Sequence, residues 1–339
     1  MANANYTQSF DALNYSGFLF NKGNTSTPFT SMISGKQKTT NSVEFPTGVE
    51  FTTATGSQPA ISEEASLIAP EGSTVTRTQK TNVTQMFQET YGVSYGKQSN
   101  MGTLAGLNIS GQVANPIDEK IFQKQAKLTK MAQDIEYTFI NGTYNKATKN
   151  TEINKTRGIV SAIESVNNNI AGKELTFWDV CDTVTAIKGQ NAPTDNLVLG
   201  VDGVTLMQIN ADAVKNNLTI VPSERTINGI AIMQYITPAG MIYIRELKYL
   251  PVGTAIIFNP NAISPVHQMT PGKGNFFEEQ LAKTGAGERY QLFGQIGLDH
   301  GPEWYHGKIT GIATTYTKPE INTVKIVSDA QPASDTPTE

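Results

Sequence analysis

Cysteine is almost missing from this chain of 339 residues: Cys181 stands alone. That excludes an internal disulfide framework and a thiolate-rich zinc site, and it is compatible with a reducing compartment. Charge is sparse as well. Asp, Glu, Lys and Arg make up 17% of the chain and the formal net charge is -4, so there is no general basic field for tight non-specific nucleic-acid binding. No apolar run approaches a membrane span, and Met1 to Phe10 lacks the charged start and apolar core of a secretory signal. The expectation is a protein made and kept in the cytoplasm with no membrane partner. The phosphate-loop pattern G-x-x-x-x-G-K followed by Ser or Thr is absent, so the Gly-rich stretch from Gly272 to Gly287 is expected to be a flexible loop.

What is present is a soluble composition, 38% hydrophobic and rich in Gly, Thr and Asn, which favours strands and long loops. The length allows two or three lobes. The longest periodic stretch runs from Pro116 to Asn141. Pro116 suits a first helical turn, Asp118 and Glu119 suit the positive end of the dipole, and Gly142 ends the run. Ile117, Ile121, Leu128, Ala132, Ile135 and Phe139 fall on one face, which is expected to be buried. Lys120, Lys124, Lys127 and Lys130 form a basic flank beside it.

Residues 1 to about 45 have isolated aromatics but little periodicity, and cannot bury enough apolar area alone. Thr27-Pro28-Phe29, continuing through Met32 and Ile33, is placed to anchor this arm to the body. From Val43 to Tyr95 the alternation is β-branched and Thr-rich, interrupted by a Ser, Thr, Ala, Pro and Gly-rich segment from Thr52 to Ser73. This reads as a long hairpin with a flexible tip, which needs a partner surface for stability. Glu44, Glu50, Glu63, Glu64 and Glu71 make it acidic, and neither Lys nor Arg occurs between Thr39 and Thr76.

A second block begins at Thr176, where Thr176 to Asp179 resembles a capping box heading a helix. Strand Asn196 to Val201, helix Val204 to Lys215, and strands Ile227 to Ile236, Met241 to Leu247 and Thr254 to Phe258 follow, predicting a mixed sheet flanked by helices. Strands at Tyr290 to Leu298 and Lys308 to Tyr316 are expected to return to the long helix. Catalytic signals are weak. Asp299, His300, Glu303 and His306 gather residue types used in metal and acid/base sites, but their spacing matches no standard ligand motif and a polar turn accounts for them. Cys181 reads as a small buried hydrophobe in a helix.

The order of these features resembles the major capsid proteins of tailed bacteriophages with the Hong Kong ninety-seven fold, in the branch that includes the phage SU-ten major capsid protein. The local matches are Thr27-Pro28-Phe29, then Glu71-Gly72 to Arg77 to Asn82-Val83-Thr84-Gln85. Asp134-Ile135-Glu136, Gly158-Ile159 and Leu281-Ala282-Lys283-Thr284-Gly285 complete them. The resemblance implies an α+β Hong Kong ninety-seven-type capsid fold. Its parts would be an N-terminal arm (1–45), an extended β-hairpin loop (46–98), a peripheral domain (99–175) with spine helix 116–141, and an α/β axial domain (176–284). Return strands (285–327) and a disordered tail (328–339) follow.

It further implies a structural protein, not an enzyme and without cofactors, that assembles with itself into pentamers and hexamers of an icosahedral phage head around double-stranded DNA. Scaffold, portal and decoration proteins would be further partners; no scaffold-like extension precedes the arm, so a scaffold would be separate or already removed. The subunit would be assembled in the host cytoplasm and reside in the virion. An encapsulin-like nanocompartment is the alternative. Some members join subunits covalently through a loop lysine, which this hairpin lacks. Charge complementarity then nominates Glu63, Glu64 and Glu71 of one subunit against Lys120, Lys124, Lys127 and Lys130 of a neighbour. Removal of residues 1 to about 40 is expected to leave a folded subunit that assembles poorly.

Overall fold

Pro28 opens a short helix, Pro28–Ile33 (α1), whose buried Phe29, Met32 and Ile33 recur at the spacing of one helical face. It begins the described part of the chain. The computed structural model describes residues 26–51, 56–69, 71–99, 119–216, 221–227, 230–237 and 240–318. The arm before residue 26, helix positions 116–118 and the tail 328–339 lie outside the described residues.

The first half of the chain supplies Lys38–Thr40 (β1), Glu44–Phe51 (β2), Glu63–Ser66 (α2), Arg77–Val83 (β3), Gln85–Ser94 (β4), Tyr95–Ser99 (α3) and Glu119–Asn141 (α4). Ile159–Ala162 (α5), Asn167–Asn169 (β5), Phe177–Gly189 (α6), Leu197–Val201 (β6) and Gly203–Lys215 (α7) follow. The remainder is strand: Val221–Ile227 (β7), Ile230–Thr237 (β8), Gly240–Glu246 (β9), Thr254–Phe258 (β10), Ser264–Gln268 (β11), Phe276–Gln280 (β12), Gly287–Asp299 (β13) and Gly307–Thr310 (β14).

Strand β13 is the axis of a five-stranded sheet. Antiparallel β4 covers one of its edges, with Gly287 opposite Ser94 and Ile296 opposite Gln85. Strands β12 and β11 share its other edge in succession, and β1 pairs parallel with β11. Helix α4 packs on this sheet through Met131, Ile135, Phe139 and Ile140, in one core with Phe87 and Tyr91 of β4 and Leu292 and Ile296 of β13. Phe29, Met32 and Ile33 of α1 join the same core. They belong to the body, so the expectation that residues 1 to 40 can be removed without harm to folding is corrected. Each such side chain contributes roughly 1.5–3 kcal/mol by leaving water.

The buried face of α4 is shorter than its periodicity predicted. Ile121 and Leu128 remain 49% and 43% exposed, and Ala132 is exposed as well, because the shared core begins at Met131. Gly142 ends the helix for a steric reason: a Cβ there would lie 2.4 Å from the Thr156 carbonyl oxygen. The close return brings Gly158 N–H to the Gly142 carbonyl at 2.9 Å.

The other sheet has seven strands in the order β5-β14-β10-β6-β9-β8-β7. Its central strands alternate between two cores, as the two-residue period of a strand requires. Val198, Tyr243, Ile256 and Phe258 face the α4 core, whereas Leu197, Leu199, Ile242, Ile244 and Ile257 face the core that also holds Val180, Val184 and Ile187 of α6 and Ile209 of α7. The capping box at Thr176 and Asp179 forms as predicted, and Asp202 caps α7 by accepting from Thr205 N–H. Three expectations are corrected. Strand β7 occupies a stretch with no predicted element, and β12 forms inside the supposed flexible loop. The predicted strand near 308 becomes β14, which joins the seven-stranded sheet beside β10 rather than returning to the long helix.

Candidate functional site

The hairpin is real and rooted at one end. Strands β2 and β3 pair antiparallel from Glu44–Val83 to Phe51–Arg77, and the root residues Phe45, Asn82, Val83 and Thr84 are buried. Asn82 holds the root by donating to the carbonyls of Leu298 (2.7 Å) and Arg157 (3.1 Å) and accepting from Arg157 N–H (2.8 Å). Lys80 stands 3.6 Å from Glu50, 3.8 Å from Glu303 and 4.0 Å from Glu164. From Phe51 and Gln79 outward the hairpin is exposed throughout its described residues. Its tip contains α2, started by Ser62 accepting from Ala65 N–H, and among the described residues the hydrogen bonds of 56–69 stay within that segment. Glu63, Glu64 and Glu71 are exposed there. So are Ile61, Leu67 and Ile68, at 71%, 81% and 77%, a feature overlooked by a reading of the tip as acidic.

The four lysines of α4 face the five-stranded sheet of their own subunit. Lys120 donates to the Tyr290 hydroxyl at 2.6 Å and lies 3.8 Å from Glu288. Lys124 pairs with Glu278, Lys127 with Glu89 at 2.9 Å, and Lys130 with both Glu89 and Asp134, the latter at 2.8 Å. Burial works against the charge on Glu89, but Lys130 and Lys127 outweigh it and hold the carboxyl below its usual range. Glu278 behaves alike, with Lys124 and the Tyr91 hydroxyl overcoming its burial. Burial and the Glu278 contact push the Tyr91 phenol up, and its ring stacks on Tyr290 at 5.2 Å between centroids. The lysines that charge complementarity nominated for a neighbour's carboxylates are thus already paired within their own subunit. Glu89 and Glu278 lie on β4 and β12, and the strand carrying Glu278 was not foreseen.

The Asp299 to His306 segment is a buried turn linking the two sheets. Glu303 accepts from the backbone N–H groups of Glu164 (2.8 Å) and Ser165 (3.0 Å) and from the Ser165 hydroxyl. Burial opposes its charge, yet these bonds and Lys80 keep its carboxyl below the usual range. Asp299 takes an ion pair from Lys38 at 2.6 Å. His306 is fully buried, accepting from Asn259 N–H at Nδ1 (3.2 Å) and therefore donating from Nε2 to the His300 carbonyl (2.8 Å). These residues brace the crossing between sheets. No cluster of His, Cys, Asp and Glu among the described residues has metal-holding geometry, and Cys181 is buried, with burial and then Asp182 raising its thiol pKa.

A long helix across a mainly antiparallel sheet, a projecting hairpin rooted beside it and a mixed sheet flanked by helices constitute the Hong Kong ninety-seven-type fold of phage capsid proteins. Among solved structures, the capsid of cyanophage A-1(L) superposes with TM-score 0.60 at 9% identity, over 90% of this chain and 97% of that one. The holo-SrpI encapsulin complex from Synechococcus elongatus gives 0.58 at 9% identity over 84% and 87%. The capsid of Myoviridae phage XM1 gives 0.56 at 10% identity over 87% and 95%. The family model of the SU10 major capsid protein matches residues 2–313, and the chain belongs to that family. No curated protein matches it. It is thus a major capsid protein, a structural subunit of the tailed-phage head, and no described helix is long and apolar enough to cross a membrane.

Proposed function

We propose that this subunit closes its shell as pentamers and hexamers by laying the hairpin of one copy across the next, enclosing double-stranded DNA. The observation that carries the reading is the contrast between a root locked by Asn82 and a tip with exposed apolar and acidic side chains. A two-stranded ribbon of this kind is marginal in water until another surface covers it. Glu63, Glu64 and Glu71 belong to that contact. Lys120, Lys124, Lys127 and Lys130 first clamp α4 to the sheet and then present an already neutralised flank to the neighbour. Assembly in the host cytoplasm, with scaffold, portal and decoration proteins as further partners, follows from the same reading.

Replacing residues 52–76 by a short Gly-Ser turn tests it. The expected product is a soluble, cooperatively unfolding subunit that forms no shells by negative-stain microscopy, while the full chain forms closed ones. Normal shells from the shortened chain would refute the hairpin's role. Mature particles are expected to protect DNA from nuclease; a packaged protein cargo in its place would favour an encapsulin.

A further inference from the structure

The described residues end at Lys318, laid against the start of α6 and one flank of α7. Ala313 N–H donates to the Lys173 carbonyl at 2.8 Å, and the buried Gln208 of α7 donates to the carbonyls of Ala313 (2.7 Å) and Thr315 (2.6 Å). Thr317 then donates to Glu174 from both its N–H and its hydroxyl, each at 2.6 Å. Lys215, in the last turn of α7, lies 3.8 Å from the same Glu174, and Phe177 N–H at the head of α6 donates to Asp212 at 2.9 Å. The chain therefore leaves the fold where the C-terminal end of α7 meets the first turn of α6.

The surface around that exit is apolar. Trp178 is 66% exposed, Val214 54% and Met207 50%. Met207 and Val214 stand about two helical turns apart, so they share a face of α7, and Asp212 brings Val214 close to the turn that carries Trp178. The sequence that continues from Lys318 suits this strip. Pro319 disfavours a helical Lys318, and Ile321 to Val327 is rich in β-branched residues, which favour extended backbone. In that conformation Val324 and Ile326 point to one side and Lys325 to the other. Residues 319–327 can span about 30 Å when extended, against about 20 Å for the length of α7. From Ser328 onward the sequence is polar, so this is the last apolar run available.

We propose that residues 319–327 fold back across the α6–α7 surface of their own subunit, Ile321 against Trp178, and Val324 and Ile326 against Val214 and Met207. The segment is a strap that shields this face from other copies before and during assembly. It is tied down at its root by Glu174 and Gln208, which is what allows so short an apolar run to find one place on the surface. The proposal is independent of how the hairpin is used.

Methionine oxidation by hydrogen peroxide in the full-length, unassembled subunit, read by peptide mass spectrometry, tests it. Met86, Met207 and Met269 are 61%, 50% and 52% exposed, and Met32, at 3%, reports an intact fold. Beneath the strap, Met207 is expected to form sulfoxide about fivefold or more slowly than Met86 and Met269. A chain ending at Lys318 is expected to lose that protection while Met32 stays unreactive. Equal rates for the three exposed methionines in the full chain overturn the proposal. So does protection of Met207 that survives the truncation, which would assign the cover to a second copy. Should the shortened chain fail to fold, Met207→Cys with Ile326→Cys in the full chain gives the same reading, since the native Cys181 is buried. A reducible disulfide within one chain supports the strap; a disulfide between chains, or two free thiols after oxidation, overturns it.

Discussion

At the scale of single residues, His306 carries the clearest pH dependence. Burial lowers its pKa from the ordinary 6.5 to about 4, and both ring nitrogens are committed in the neutral form. Between those two pH values the unfolded chain binds the additional proton, so the contribution is complete above about 6.5 and is lost as pH falls towards 4. The span corresponds to something on the order of 3 kcal/mol. His300 and His267, also lowered by burial, act with the same sign. Glu136, pushed up by burial against the donors from Thr30 and Phe29, acts with the opposite sign. Urea denaturation of the subunit between pH 7 and 4.5 is expected to show falling stability, with a shallower slope in His306→Gln. An unchanged slope in that variant would show that His306 titrates normally.

At the scale of elements, α1 and α4 are joined through Glu136, which accepts from Phe29 N–H (2.8 Å), Thr30 N–H (2.7 Å) and the Thr30 hydroxyl (2.5 Å). Glu136→Ala orphans these donors and is expected to cost about 1–3 kcal/mol and to speed proteolysis at the turn 41–43; equal protease resistance would assign the anchoring to apolar burial alone. Helix α4 and the sheet are held by the lysine network as well as by the core. Lys127→Glu places a like charge beside Glu89, whose side chain is 17% exposed, and is expected to lower subunit stability by about 1–2 kcal/mol. The readout is the unfolding midpoint of unassembled protein. A loss of assembly with that midpoint unchanged would return this lysine to a purely intersubunit role.

At the scale of the whole molecule, the shell is expected to hold without covalent links through its hairpin. Neither lysine nor arginine lies between Thr39 and Thr76, so the tip cannot supply an amine for an isopeptide bond. The lysines that flank it are engaged elsewhere: Lys80 among Glu50, Glu303 and Glu164, and Lys97 buried at 9% exposure. Mature particles boiled in detergent should release a band near the 36.7 kDa chain mass. A ladder resistant to reducing agent would contradict this account of the hairpin.

Sequence alone determined those features whose signals are local. The Thr176–Asp179 box started α6, Gly142 stopped α4, a short apolar run placed β10 at Thr254–Phe258, and a single cysteine ruled out disulfides within the chain. The ordered set of short motifs also carried the family resemblance. Tertiary structure decided what depends on distant partners. Glu136 meets Phe29 across 107 positions, and Glu89 and Glu278 reach the lysines only because β4 and β12 are placed beside α4. The burial that made His306 a brace rather than a catalytic candidate arises where two sheets cross. Helix periodicity marked the apolar face of α4 but not where its cover ends, since that limit is set by the length of the core beneath it. Local propensity shapes an element, whereas the charge and exposure of its surface are decided by the neighbours that long-range pairing places against it.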